Sequence, residues 1–387
     1  MSDNVSRLAP RPGRRVWKRI VAFALVFLLA AVAAGLYAFR DRLNLDAARR
    51  FVRYLNVRAD ASGGGFTFDS HNANQYASMQ GGLAVAAVSG LSVYDAEGEE
   101  TGFAQAKLET PALRMGEKLA LAFDVGGTRL LALSDSGEVR LDITTPRPIF
   151  DADAAEDGAL CYAAAESGYK TVLYAYDAQQ TLIYRWLSSS QYLPLCAVSP
   201  GAGYLAAISP GQQSGMFASE LHIFNTASND APRTASLGTE LVYDLDFADD
   251  ALLCVVGETK AQWVGLDGIV QASYSYDGEY LSDFDFGGDG FLSLIVNMYK
   301  AGNHCRVVSV DETGTELGSM AFDEQILDFS VAGGYLAVLT AEKLTIYDST
   351  MKPYFERTNT KSATNVIMRA DGSAILLGGG RGETVLP

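Results

Sequence analysis

Three pairs of aspartates recur at matching places in the chain: Asp151 and Asp153, Asp244 and Asp246, and Asp283 and Asp285. Each pair stands seven and five residues ahead of a turn residue, Gly158, Ala251 or Gly290. Carboxylates gathered from repeats in this way could converge on a hard cation such as Ca²⁺, which takes about six to eight oxygens. They could also serve as acid and base in a hydrolase or lyase, because paired acids need no fixed sequence spacing. A structural role competes with both and is the commoner use of such a residue: each Asp would accept hydrogen bonds from backbone amides of a neighbouring turn.

A second group is topographic. Three expanded connections, 166–170, 209–220 and 297–304, carry Tyr169, Lys170, Gln212, Met216, Phe217, Met298, Tyr299, Lys300 and His304. Aromatic, Met and amide groups in such a mix suit an interface. Long connections are where function concentrates, although they are equally the places where insertions are tolerated.

Other chemistry finds little support. His71, His222 and His304 are the only histidines, and none stands in a metal-ligand spacing. Neither a GxSxG elbow nor a Walker loop is present, and Gly378, Gly379 and Gly380 end an apolar run with no helix after them, which argues against phosphate binding. Cys161, Cys196, Cys254 and Cys305 lie in or at the start of apolar runs without any CxxC, so they read as buried thiols rather than metal ligands. No catalytic or cofactor-binding residue is assigned on this basis.

The elements that must position these residues are short strands. The stretch 326–348 holds three alternating apolar runs, 326–331, 335–339 and 344–347, separated by Gly333-Gly334 and Ala341-Glu342. That is the period-2 pattern of half-buried strands joined by tight turns. Versions of it recur with second runs starting at Leu83, Leu119, Leu160, Leu205, Leu252, Leu292, Leu336 and Ile375, spaced by 36 to 47 residues. A repeat of this length predicts four-stranded propeller blades closed into one all-β domain. Third runs end in Asp, Asn, Ser or Gly turns, as in SVYDAEG at 92–98 and VVSVDETG at 307–314. Eight blades are predicted, with seven as the alternative. The last blade is short, so 383–386 is read as its third strand and 66–69 as an outer strand returning from the N-terminal side. In this arrangement first strands line a central channel, and all second-to-third connections emerge on one face.

Ahead of the repeats, six basic residues precede an uncharged run at 20–39. Twenty residues at about 1.5 Å each span about 30 Å, the thickness of a bilayer core. The chain therefore divides into a basic tail at 1–19, a transmembrane helix at 20–39, an Arg-rich stalk with a Gly hinge at 40–65, and a propeller at 66–387. A cleaved signal peptide ending near Ala31-Val32-Ala33 is the alternative. Lys and Arg counts on the two sides of the span tie at six each, so the expected orientation, N-terminus cytoplasmic and propeller outside, rests on the signal-like leader. Charge splits the same way. Residues 1–59 hold 12 basic and 3 acidic side chains, and the remainder holds 18 basic and 43 acidic, net −25, a poor partner for nucleic acid.

The order of anchor, Arg-rich stalk, LAVAAVSGLSVYDAEGEE, ESGYKTVLYAYDAQQTLIYRW and AVSPGAGYLAAIS resembles a family of bacterial single-pass, membrane-anchored β-propeller proteins of unknown function. The resemblance spans nearly the whole chain and implies the propeller and its anchor, with no activity or site residues to carry over. AVSPGAGYLAA is also similar to the strand-turn-strand of WD-type propellers, without their Gly-His and Trp-Asp signatures. Trp17, Trp186 and Trp263 are too few for the tryptophan motifs of quinone-dependent propeller dehydrogenases. The expectation is a membrane-anchored, extracytoplasmic binding module for an envelope protein or a glycan. A hydrolase or lyase using channel carboxylates is the alternative.

Overall fold

An apolar run such as LALAF at 119–123 can be buried on both sides only if another sheet covers each face, and the chain packs in that way. The computed structural model describes residues 65–300, 304–360 and 363–387. The tail, the membrane span, the stalk and most of the hinge predicted above lie outside the described residues. Among the described residues no helix is long and apolar enough to cross a membrane.

Eight four-stranded antiparallel sheets follow one another, each built from four strands in sequence order except the last. Every second strand begins within one residue of the start read from the repeat, from Gly82–Ala87 to Ala374–Gly378. Second and third strands sit between neighbouring blades. Leu119–Asp124 and Tyr335–Thr340 are buried at every position, whereas the outer strand Val139–Thr144 alternates exposed with partly buried side chains. Between the first two blades Ala86, Leu91 and Val93 meet Ala120, Ala122, Leu131 and Leu133. At about 25 cal/mol per Å² of apolar area, such face-to-face layers supply most of the favourable free energy of folding.

The ring closes across the chain ends, as predicted. The eighth sheet takes Phe66–Thr67 as its outer strand, with Phe66 opposite Gly382 and Thr67 opposite Arg381. Phe66 then packs with Ile375 and Leu377 of the eighth blade and Leu83, Val85 and Tyr94 of the first. Closure gives the eighth blade its fourth strand, and the ring is left with only short, protected edges.

The exit turns are built by their Asp residues. Oδ1 of Asp95, Asp177, Asp311 and Asp348 each accepts two backbone amides, two and four residues ahead, at 2.8 to 3.1 Å. One glycine in these turns is compulsory: Gly137 has φ +79°, and a Cβ there would sit 2.2 Å from the Thr101 carbonyl oxygen.

Two of the three expanded connections are not loops. Residues 209–220 form a continuous ladder, Ser209 opposite Glu220 through Gln213 opposite Met216, turned by Ser214 and Gly215 at φ +54° and +83°. The extended strands Tyr204–Gln213 and Met216–Asn225 project as a hairpin beyond the blade. Residues 210–212 and 214–217 are all exposed, so no hydrophobic period marks them, and the backbone pairing is invisible to pattern reading. Likewise Glu166 pairs with Tyr169 across a two-residue turn. The third, 297–304, connects Phe291–Asn297 to Cys305–Asp311, with the Met298 amide donating to the His304 carbonyl at 3.2 Å.

Candidate functional site

The six aspartates all lie on first strands, in blades three, five and six: Ile149–Ala154, Val242–Phe247 and Tyr280–Gly288. Their side chains have three distinct occupations. Asp151 Oδ2 accepts the Cys196 amide at 3.0 Å and Asp153 Oδ2 the Val198 amide at 2.9 Å, binding blade three to the first strand of blade four. The same brace recurs further round. Asp285 Oδ2 accepts the Val331 amide at 2.7 Å and Asp328 Oδ2 the Val366 amide at 2.7 Å. These amides belong to the adjacent first strand rather than to a turn. Asp244 instead receives Arg114 of the second blade across the channel, at 2.7 Å, with Asp151 3.9 Å from the same guanidinium nitrogen. Asp246 accepts the Phe247 amide and Asp283 the Phe284 amide, each a contact within its own strand.

Electrostatics follow from this placement. Burial pushes the Asp151 and Asp153 carboxyls up, and the Arg114 charge pulls them partly back. Burial also raises Asp246 well above the ordinary range, helped by repulsion from Asp153 and Asp244. For Arg114 burial works against the charge, but Asp244, Asp151 and Asp153 outweigh it and hold the guanidinium protonated. Asp285 and Asp328 are both raised to about 6, chiefly by burial. Among the described residues no group of three or more His, Cys, Asp or Glu is placed to hold a metal ion. The aspartates of blades three and five gather around Arg114, which supplies the positive charge there, so the sequence expectation of a Ca²⁺ site gains no ligand set here.

The second group lies at one end of the ring, on blades three, four and six. Second-to-third connections of every blade emerge on one face, and so do the connections from each outer strand to the next first strand, because the outer strand runs back to that end. Tyr169, Met216, Phe217, Met298 and Tyr299 are 43 to 59% exposed there. Lys170, Gln212, Lys300 and His304 are exposed beside them. Sequence reasoning missed four neighbours, Tyr192, Leu241, Tyr243 and Tyr280, all exposed and all at the ends of blade-to-blade connections. Lys170 Nζ lies 4.5 Å from the Tyr192 ring centre and Lys300 Nζ 5.5 Å from that of Tyr280. No local pattern announces these residues, since only the ring topology places the two kinds of connection together. His304 Nδ1 is 2.9 Å from Asp323 Oδ1.

A family profile, described as a family of unknown function (DUF5711), matches residues 64–379. The chain belongs to the DUF5711 family. No curated protein matches it. Among solved structures it is similar to the C-terminal WD40 domain of Sif2, at 11% identity and a TM-score of 0.56, covering 84% of this chain and 97% of that one. This likeness extends to the propeller fold alone. The Cps50 (Swd1) β-propeller domain of Myceliophteria thermophila aligns at 12% identity over 85% of this chain and 99% of that one, with a TM-score of 0.46, too low to carry an argument.

Two further features of the DUF5711 propeller bear on chemistry. Ser209 Oγ and His222 Nε2 are 2.7 Å apart at the base of the projecting hairpin. This is a nucleophile-base distance, yet Glu220 approaches the same ring nitrogen, at 3.5 Å, instead of orienting the ring through Nδ1. Both Ser209 and His222 are buried, and burial lowers the His222 pKa. The pair braces the hairpin, as does Ser219 Oγ donating to the Glu240 carbonyl at 2.7 Å. All four cysteines are buried thiols, with Cys161 and Cys196 in sulfur contact at 3.6 Å.

Proposed function

We propose that this chain is a membrane-anchored, extracytoplasmic binding module without catalytic activity, which captures an envelope protein or glycan on the face above blades three to six. The observation that carries the reading is the concentration of exposed Met and aromatic side chains on one end of a rigid ring: Met216, Phe217, Met298, Tyr299, Tyr169 and Tyr192. Met and Phe supply apolar area without hydrogen-bonding demands, which favours a protein partner over a glycan. A hairpin braced by Ser209, His222 and Ser219 holds part of this surface in place before a partner arrives, reducing the ordering cost of association. The channel carboxylates of Asp151, Asp153, Asp285 and Asp328 are engaged by amides of the next blade, which favours binding over the hydrolase or lyase alternative. Anchoring and orientation rest on the apolar run at 20–39 and its basic leader.

The test is membrane-impermeant crosslinking on intact and permeabilised cells with the unaltered chain and with Met216→Ser, Phe217→Ser, Met298→Ser and Tyr299→Ser combined. The expected outcome is a reproducible adduct on intact cells that the combined variant loses while its unfolding midpoint stays put. Adducts confined to permeabilised cells would reverse the topology, and an adduct indifferent to the four changes would move the site off this face.

A further inference from the structure

A cavity of about 580 Å³ opens on the same face but on the other side of the ring, over blades six, seven, eight and one. Its walls are the first strands of those blades and the segment 68–74, which carries the chain from the closing strand Phe66–Thr67 to the first strand of blade one. The volume falls in the range of small-molecule sites, roughly 300 to 1,000 Å³.

The chemistry of the lining is one-sided. Asp283, Asp285 and Asp328 face it, and Asp283 is close enough to raise the other two by repulsion. Among the described residues no Lys or Arg lines the cavity. Asn74 adds an independent observation. It lines the cavity and is only 7% exposed; its Nδ2 donates to the Asp69 carbonyl at 2.7 Å, and its Oδ1 is buried with no hydrogen-bond partner. A buried acceptor without a donor is costly, and native structures seldom leave one unless something else supplies the donor. The cavity thus carries negative charge that no Lys or Arg in its lining offsets, with the neutral side chains of Ser70, Gln75, Ser330, Thr364 and Asn365 around it. Its carboxylates are too dispersed to enclose one metal ion. The complementary ligand is a donor-rich organic cation, whose several N–H groups can reach separate acceptors.

We propose that this cavity binds an alkylammonium or guanidinium group, with Asp283 and Asp328 as the charged contacts and Asn74 Oδ1 as a neutral acceptor. The group could arrive on a free polyamine or on a Lys or Arg side chain of a docked protein, and the site does not depend on the face proposed above.

Calorimetric titration of the full-length chain with spermidine, and separately with a short peptide carrying one arginine, tests this at about 0.15 M salt, where diffuse attraction to an acidic surface is largely screened. Saturable binding is expected at one site, weakened at least about tenfold by Asp283→Asn. Asp283 is an exposed residue whose one hydrogen bond is to its own neighbour, so the substitution spares the fold. Asp249→Asn with Asp250→Asn, at the opposite mouth of the channel, serves as the charge control and should leave affinity unchanged. Binding by spermidine alone assigns a free amine, and binding by the peptide alone a partner's side chain. Absence of saturable binding with both probes, or equal weakening by Asp283→Asn and the control pair, would overturn the proposal. Loss of the crosslinked partner in the Met216 and Phe217 variant with titration intact would separate this site from the docking face.

Discussion

The two sides of the channel solve the same problem differently. On both, carboxylates on first strands accept amides of the next blade, and on both burial works against their charge. On the side of blades two to five a cation is built in: Arg114 reaches across to Asp244 and lies near Asp151. On the side of blades six to eight a cavity opens whose lining holds no Lys or Arg. The repeat thus makes the carboxylate position a structural habit, and a single non-repeated arginine decides which part of the ring is closed by its own charge and which part is left for a ligand.

The largest break in this comparison is Arg114→Leu. Removing one partner of a buried pair costs roughly 3–5 kcal/mol, and with the Arg114 side chain 36% exposed a loss of about 2 kcal/mol is expected in urea unfolding at neutral pH. Adding Asp244→Asn should recover part of it, because one stranded carboxylate is then neutral; an additive double variant would mean that the two residues are not coupled.

The other side makes a pH prediction. Asp285 and Asp328 titrate near 6 when folded and near 3.9 when unfolded, so between those values the folded chain holds more protons. Stability should therefore rise as pH falls from about 7 towards 4, by about 1 kcal/mol for each residue after allowing for partial exposure. Asp285→Asn should flatten this slope. Arg114→Leu should steepen it, since Asp151 and Asp153 would then be raised further without their cation. Unfolding midpoints across this window check both.

The smallest expected effect comes from giving the open side its own cation. Asn365→Lys places an ammonium in the cavity lining beside Asp328. It should add about 0.5 kcal/mol at neutral pH, lower the Asp328 titration midpoint, and abolish spermidine binding. An unaltered midpoint, read by NMR of the carboxyl carbon, would place the introduced charge outside the cavity.

Much of the ring was legible in advance for one physical reason: local and periodic features leave local and periodic marks. Second strands are buried on both faces, so their apolar runs stand out at 83, 119, 160 and onward. Exit turns need an acceptor for two free amides, so Asp95, Asp177, Asp311 and Asp348 mark them. Even closure of the ring by Phe66–Thr67 follows once an incomplete last blade is counted. The hairpin at 209–220 was misread as a loop because two exposed faces erase the alternation that reveals a strand.

What the chain alone determined, then, is the repeat, the strands, the turns and the closure, each set by neighbours in sequence or by burial of a whole strand. Only tertiary structure decided that Arg114 meets Asp244 from 130 residues away, that Tyr192 and Tyr280 join the face of Met216 and Met298, and that Asn74 lines one cavity with Asp283 and Asp328. Those contacts join blades across the ring, and their energies depend on distance, burial and charge in space, quantities for which sequence separation carries no information.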